Sequence, residues 1–146
     1  MRSLILFVIG LVFGTGLGFM LGNPSEGHDH AGHGDTGHDM SKLVPWTGPA
    51  PTIALAVSND MGRAMNLFID LSGFTFTPET VNTDPVAGTG HAHVYVDGVK
   101  KARAYAPWMH LADAPSGSTV RVTLNANDHT GWGIDGQPIA AEITVP

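Results

Sequence analysis

The chain has 146 residues, the size of one domain, which argues against a multidomain enzyme and for a single core. It is 42% hydrophobic with 19 Gly and 10 Pro but only 14% charged, a balance that excludes a coiled coil or long-helix protein. Seven Lys+Arg against thirteen Asp+Glu, a formal net charge of −6, leave no basic footprint for nucleic acid, and the lack of Cys excludes disulfides, thiolate nucleophiles, iron–sulfur clusters and cysteine-ligated copper.

Residues 1–22 form the first element. No residue from Ser3 to Gly22 is charged, and about 20 residues at 1.5 Å each cross a ~30 Å hydrocarbon core. Arg2 precedes the segment and Glu26, Asp29 and Asp35 follow it, so the positive-inside bias sends the rest of the chain out of the cytoplasm, with the segment as a transmembrane helix in the inner membrane. A cleaved signal peptide, leaving a periplasmic or secreted protein, is the rival. The segment's length and the lack of a small-x-small site in residues 19–24 favour the anchor. Gly10, Gly14, Gly18 and Gly22 recur every four residues and lay a ridge suited to a homodimer in the membrane, although such segments also tolerate glycine without dimerising.

Residues 23–45 shift to Gly, His and Asp with almost no large apolar side chains, a composition that cannot offset chain entropy by burial and reads as a disordered linker. It carries His28, His30, His33 and His38 among Asp29, Asp35 and Asp39, ligands able to wrap a copper, zinc or nickel ion with modest affinity. A polar spacer rich in His is the plainer alternative.

Residues 46–146 change to short runs bounded by Gly, Pro, Asn and Asp, the pattern of an all-β sandwich or barrel. Strands are expected at 52–57, 65–71, 91–96, 100–105, 119–125 and 139–145. Alternation in the second and fifth of these, with Leu67, Ile69 and Leu71 and with Val120, Val122 and Leu124 in phase, marks half-buried strands. Residues 74–87, with two prolines, read as an edge or crossover.

Chemistry concentrates in Gly90-His91-Ala92-His93-Val94-Tyr95-Val96-Asp97-Gly98. Strand alternation puts Ala92, Val94 and Val96 on the core face and His91, His93 and Tyr95 on the other, with the two imidazoles side by side as a chelating pair. Met109-His110 at the end of the following strand offers a thioether and a third imidazole, a set that favours copper, and His129 in Asn127-Asp128-His129 is a fourth candidate. Asp97-Gly98 is a hairpin signal, and its loop length sets the surroundings of the pair. A two-residue turn sets Ala102 opposite His93, whereas a three-residue loop with a bulge sets Arg103 there, where a guanidinium repels a cation. The sequence leaves both registers open.

The phrases G-H-A-H-V-Y-V-D-G, P-W-M-H-L and T-V-R-V-T-L-N-A-N-D-H resemble a group of small bacterial extracytoplasmic β-sandwich domains linked to copper handling, over roughly residues 90–129. The resemblance implies an Ig-like antiparallel β-sandwich. It carries His91, His93 and His110 over as ligands, with Met109 and His129 as additions.

The chain thus reads as a membrane-tethered metal-binding protein, copper first and zinc second, that transfers, buffers or resists metal without catalysing a reaction. Two other classes remain. One is a structural or interaction module of the cell envelope without metal, and the other is an enzyme with an open His-ligated centre. No phosphate loop, zincin helix or nucleophile elbow is present, and the spacing of Asp60, Asp70 and Asp128 favours no acid/base pair with a histidine.

Overall fold

The computed structural model describes residues 42–146. The anchor, its glycine ridge and the histidines of the linker lie outside the described residues. Eleven strands follow in chain order: β1 (Leu43–Pro45), β2 (Thr52–Asn59), β3 (Met65–Ser72), β4 (Thr75–Phe76), β5 (Thr89–Val96), β6 (Val99–Ala104), β7 (Trp108–Leu111), β8 (Thr119–Asn125), β9 (Gly131–Ile134), β10 (Gln137–Pro138) and β11 (Ala140–Thr144). The described residues contain no α-helix, only the 3-10 turn Pro78–Thr80 in the stretch whose prolines predict a crossover.

The strands form two sheets. In the larger, β5 and β8 run antiparallel at the centre; β6 and β4 flank β5, β11 and β9 flank β8, and β1 and β10 pair with β9. The smaller is β2-β3-β7, antiparallel throughout. Both sheets feed one apolar cluster. Met65, Leu67 and Ile69 of β3 meet Ala92, Val94 and Val96 of β5 and Val120, Val122 and Leu124 of β8 there, all buried. Apart from Met65 these belong to the period-two sets that the sequence marks, with Leu71, also marked, only partly buried, so alternation specifies which face each central strand turns inward.

Two differences from the sequence reading bear on function. First, β1 lies within the stretch read as linker: Leu43, Val44 and Pro45 pair in parallel with Gly131, Trp132 and Gly133. Gly131 and Gly133 admit this, because a Cβ on either would stand 2.8 or 2.9 Å from the Leu43 side chain. Second, β5 is buried on both faces, and His91 and His93 are fully enclosed (0% exposed) where an outward polar face is expected. The loop after β8 folds back over them and brings His129 against His91.

The hairpin register combines both options. Asp97 and Gly98 have φ of 49° and 79°, the two positive values of a two-residue type I′ turn. Val96 pairs with Val99 and Tyr95 with Lys100, then the register shifts so that Val94 pairs with Ala102 and His93 with Arg103. Lys101 is the extra residue of this bulge. It keeps Ala102 and Ala104 beside Val94 and Ala92 on the apolar face, and it sets Arg103 beside His93.

Candidate metal centre

His91 and His93 project from β5 toward the same side, two residues apart. Their Nε2 atoms are 2.9 Å apart, and His129 Nδ1 is 3.2 Å from His91 Nε2. One nitrogen from each ring lies within 4.8 Å of the others, and all three residues are buried. Ligand nitrogens at ~2.05 Å around a tetrahedral ion are ~3.3 Å from one another. The two closest separations therefore approach ligand spacing.

Local backbone geometry explains how the third histidine arrives. Gly90, at φ 144°, lets β5 pass so close to the end of β8 that a Cβ there would stand 2.0 Å from the Asn125 carbonyl oxygen. The chain then turns over β5. His129 N–H donates to the Ala126 carbonyl at 2.9 Å, Ala126 N–H donates to the Thr130 carbonyl at 2.9 Å, and Asp128 Oδ1 accepts from Thr130 N–H and Oγ1–H. His129 itself has φ 71°, a left-handed conformation that costs a non-glycine residue about 1 kcal/mol or more.

Burial decides the charge of the pair. Loss of solvent pushes the His91 imidazole down from 6.5 to about 4, helped by His129 and Arg103, and the His93 imidazole down to about 3, helped by Lys100, His91 and Arg103. Both rings are neutral at pH 7, so each has a lone pair to offer.

The far nitrogens of the three rings face oxygens. His129 Nε2 is 2.8 Å from Asn82 Oδ1, and His93 Nδ1 is 3.5 Å from the Tyr95 hydroxyl. Asn127 lies beside His91, close enough to favour its charged form, yet His91 Nδ1 and Asn127 Oδ1 are both buried without a partner at hydrogen-bonding geometry. The Asn127 amide is held by its nitrogen, which donates to Thr77 Oγ1 at 2.8 Å and Thr80 Oγ1 at 2.7 Å. Asn82 is tied to the same place, since its N–H donates to the Asn127 carbonyl at 2.7 Å.

Tautomers account for the two orphaned atoms. With its Nε2–H donated to Asn82, His129 presents Nδ1 as an acceptor, so the proton between it and His91 sits on His91 Nε2. His91 Nδ1 is then a bare acceptor facing the acceptor oxygen of Asn127. An ion on the three converging nitrogens would remove the conflict, because His91 would then carry its proton on Nδ1 and could donate it toward Asn127, as metal-bound histidines generally do toward a carbonyl or carboxylate.

The structure brings His91, His93 and His129 together and leaves the other described candidates elsewhere. His110 lies on β7 of the smaller sheet, opposite Asn66, exposed, with Nδ1 3.3 Å from Asp60 Oδ2. It stands apart from the pair, and His129 is the third histidine beside them, because β7 pairs with β3 and not with the sheet that carries β5. Met109 pairs with Leu67 and packs against the core, so its thioether serves apolar packing. Asn82 and Asn127 were not singled out by the sequence. The only local signal for Asn127 is its place two residues before His129, and Asn82 becomes visible only through its positive φ of 66°. No protein-family model matches the chain, and neither a curated protein nor a solved structure is found to match it.

Proposed function

We propose that the β domain is an Ig-like sandwich that binds one transition-metal ion through His91 Nε2, His93 Nε2 and His129 Nδ1. In this reading it lies outside the cytoplasm behind the N-terminal segment and serves metal binding, transfer or resistance, not catalysis. The observation that carries it is the meeting of three buried imidazole nitrogens near ligand spacing, with the rings' far nitrogens turned toward Asn82, Asn127 and Tyr95. Copper(II) is the favoured ion. An all-imidazole set suits both copper and zinc, and the Irving–Williams order places copper above zinc. The thioether argument for copper no longer contributes, since Met109 is part of the core.

The test uses the full chain with His28, His30, His33 and His38 changed to Asn, so that the linker adds no weak sites. Copper(II) titration against a competing chelator should show one tight equivalent. His91→Ala with His93→Ala should lose it, and His129→Asn should weaken it at least about tenfold while keeping the fold, because Asn tolerates left-handed backbone. One equivalent retained in all variants would overturn the assignment.

A further inference from the structure

Two cationic side chains of β6 stand across from β5, the strand that carries His91 and His93. Arg103 pairs directly across from His93 on the same face of the sheet, and Lys100 across from Tyr95, two residues along. Cross-strand partners stand ~4.5–5.5 Å apart at Cβ, well within reach of a guanidinium. Two other arginines have acidic partners: Arg121 of β8 with Glu142 of β11 at 2.9 Å, and Arg63, in the turn before β3, with Asp113 at 2.6 Å. Among the described residues no carboxylate pairs with Arg103.

Three neutral imidazoles leave a divalent ion with its whole charge and, in a four-coordinate site, with one open position. Such an ion across from Arg103 repels it, with solvent on the exposed side of the guanidinium screening part of the repulsion. We propose that a small carboxylate from solution completes the site, one oxygen on the metal and the other on the Arg103 guanidinium. Arg suits this role because its planar fork matches a carboxylate and cannot lose its proton. The inference rests on the metal reading above and makes the cargo an ion and anion taken together. It also gives the bulge at Lys101 a use, since that extra residue is what sets Arg103 opposite His93.

The experiment uses the purified full chain with the four linker histidines changed to Asn, loaded with one equivalent of copper(II) in a non-coordinating buffer at constant ionic strength. Acetate is added, with chloride as control, and the ligand-field absorbance and electron paramagnetic resonance of the copper are followed. The expected result is a saturable acetate-dependent change with the copper still bound. Arg103→Gln should weaken acetate at least about tenfold with copper stoichiometry unchanged. Arg103→Glu should abolish the acetate response and tighten copper itself, because it fixes a carboxylate beside the ion; Arg103 is exposed, so neither change disturbs the core. A copper spectrum indifferent to acetate, or an equal response in Arg103→Gln, overturns the anion while leaving the metal site standing. Failure to bind copper at all overturns both.

Discussion

Asn127 decides which nitrogen of His91 can carry a proton, and it does so without touching the proposed ion. Its amide nitrogen is spent on Thr77 and Thr80, so its oxygen is left for the ring. Asn127→Leu should lower copper affinity about 10–100-fold, the usual cost of losing a partner behind a ligand. Asn127→Asp, which keeps an acceptor at that place, should recover much of the loss. Competition titration separates the two, and equal affinity in Asn127→Leu and wild type would remove Asn127 from the site. Gly90 acts at the same scale but on the backbone. A methyl group there would stand 2.0 Å from the Asn125 carbonyl oxygen, so Gly90→Ala must part β5 from the end of β8. It should destabilise the domain by about 2 kcal/mol or more, read as a fall in the denaturation midpoint.

Among the elements, the crossover between β4 and β5 carries more chemistry than its composition suggests. Proline excludes residues 74–87 from a central strand, and the sequence shows that much. Only the fold reveals that Thr77, Thr80 and Asn82 lie against the loop after β8. Thr77→Val with Thr80→Val strips both hydroxyl acceptors from the buried Asn127 nitrogen and leaves it only the Thr77 carbonyl at 3.5 Å, at about 1–3 kcal/mol. Copper affinity should fall with it, because the Asn127 amide is then no longer held in one orientation. A double variant that loses stability but keeps full copper affinity would show that this clamp only supports the fold. The strands themselves are legible for a plain reason. Period-two alternation is a local property of β3, β5 and β8, so their inward faces follow from the residues in order. The metal set is only half legible. His91 and His93 share a strand, and their convergence follows from spacing, whereas His110 and His129 both lie well beyond them in the chain, and only the fold, which puts His110 on the smaller sheet and His129 in the loop after β8, separates them. The hairpin register escapes for a similar reason: a type I′ turn predicts one pairing, and the bulge one residue pair later changes it.

For the whole molecule, the buried histidines link stability to pH. Their folded values of about 4 and about 3 lie below the 6.5 of an unfolded histidine. Between these limits the unfolded chain holds protons that the folded chain does not, so stability rises with pH there. The contribution is fully present above about pH 6.5. It is lost as pH falls toward 3, by an amount on the order of several kcal/mol. Thermal melts of the metal-free chain should therefore fall steeply between pH 6 and 4, and His91→Gln with His93→Gln should flatten that slope. A slope unchanged in the double variant would locate the acid sensitivity elsewhere. Bound copper should raise the melting temperature by more than about 10 °C at saturation, since an ion at a thousand times its Kd adds ~4.1 kcal/mol.

The parallel pairing of β1 with β9 has a consequence for how the domain can be cut. Leu43 fills the space over Gly131 and Gly133, and β1 supplies hydrogen-bonding partners along that side of β9. A fragment starting at Trp46 exposes an unpaired strand edge with two glycines and Trp132 in it, and no charged side chain in Gly131–Ile134 guards it. Such edges recruit other strands. That fragment should self-associate with rising concentration, whereas one that begins at Lys42 should stay monomeric, and light scattering on the two would reveal three residues acting as a built-in guard against aggregation.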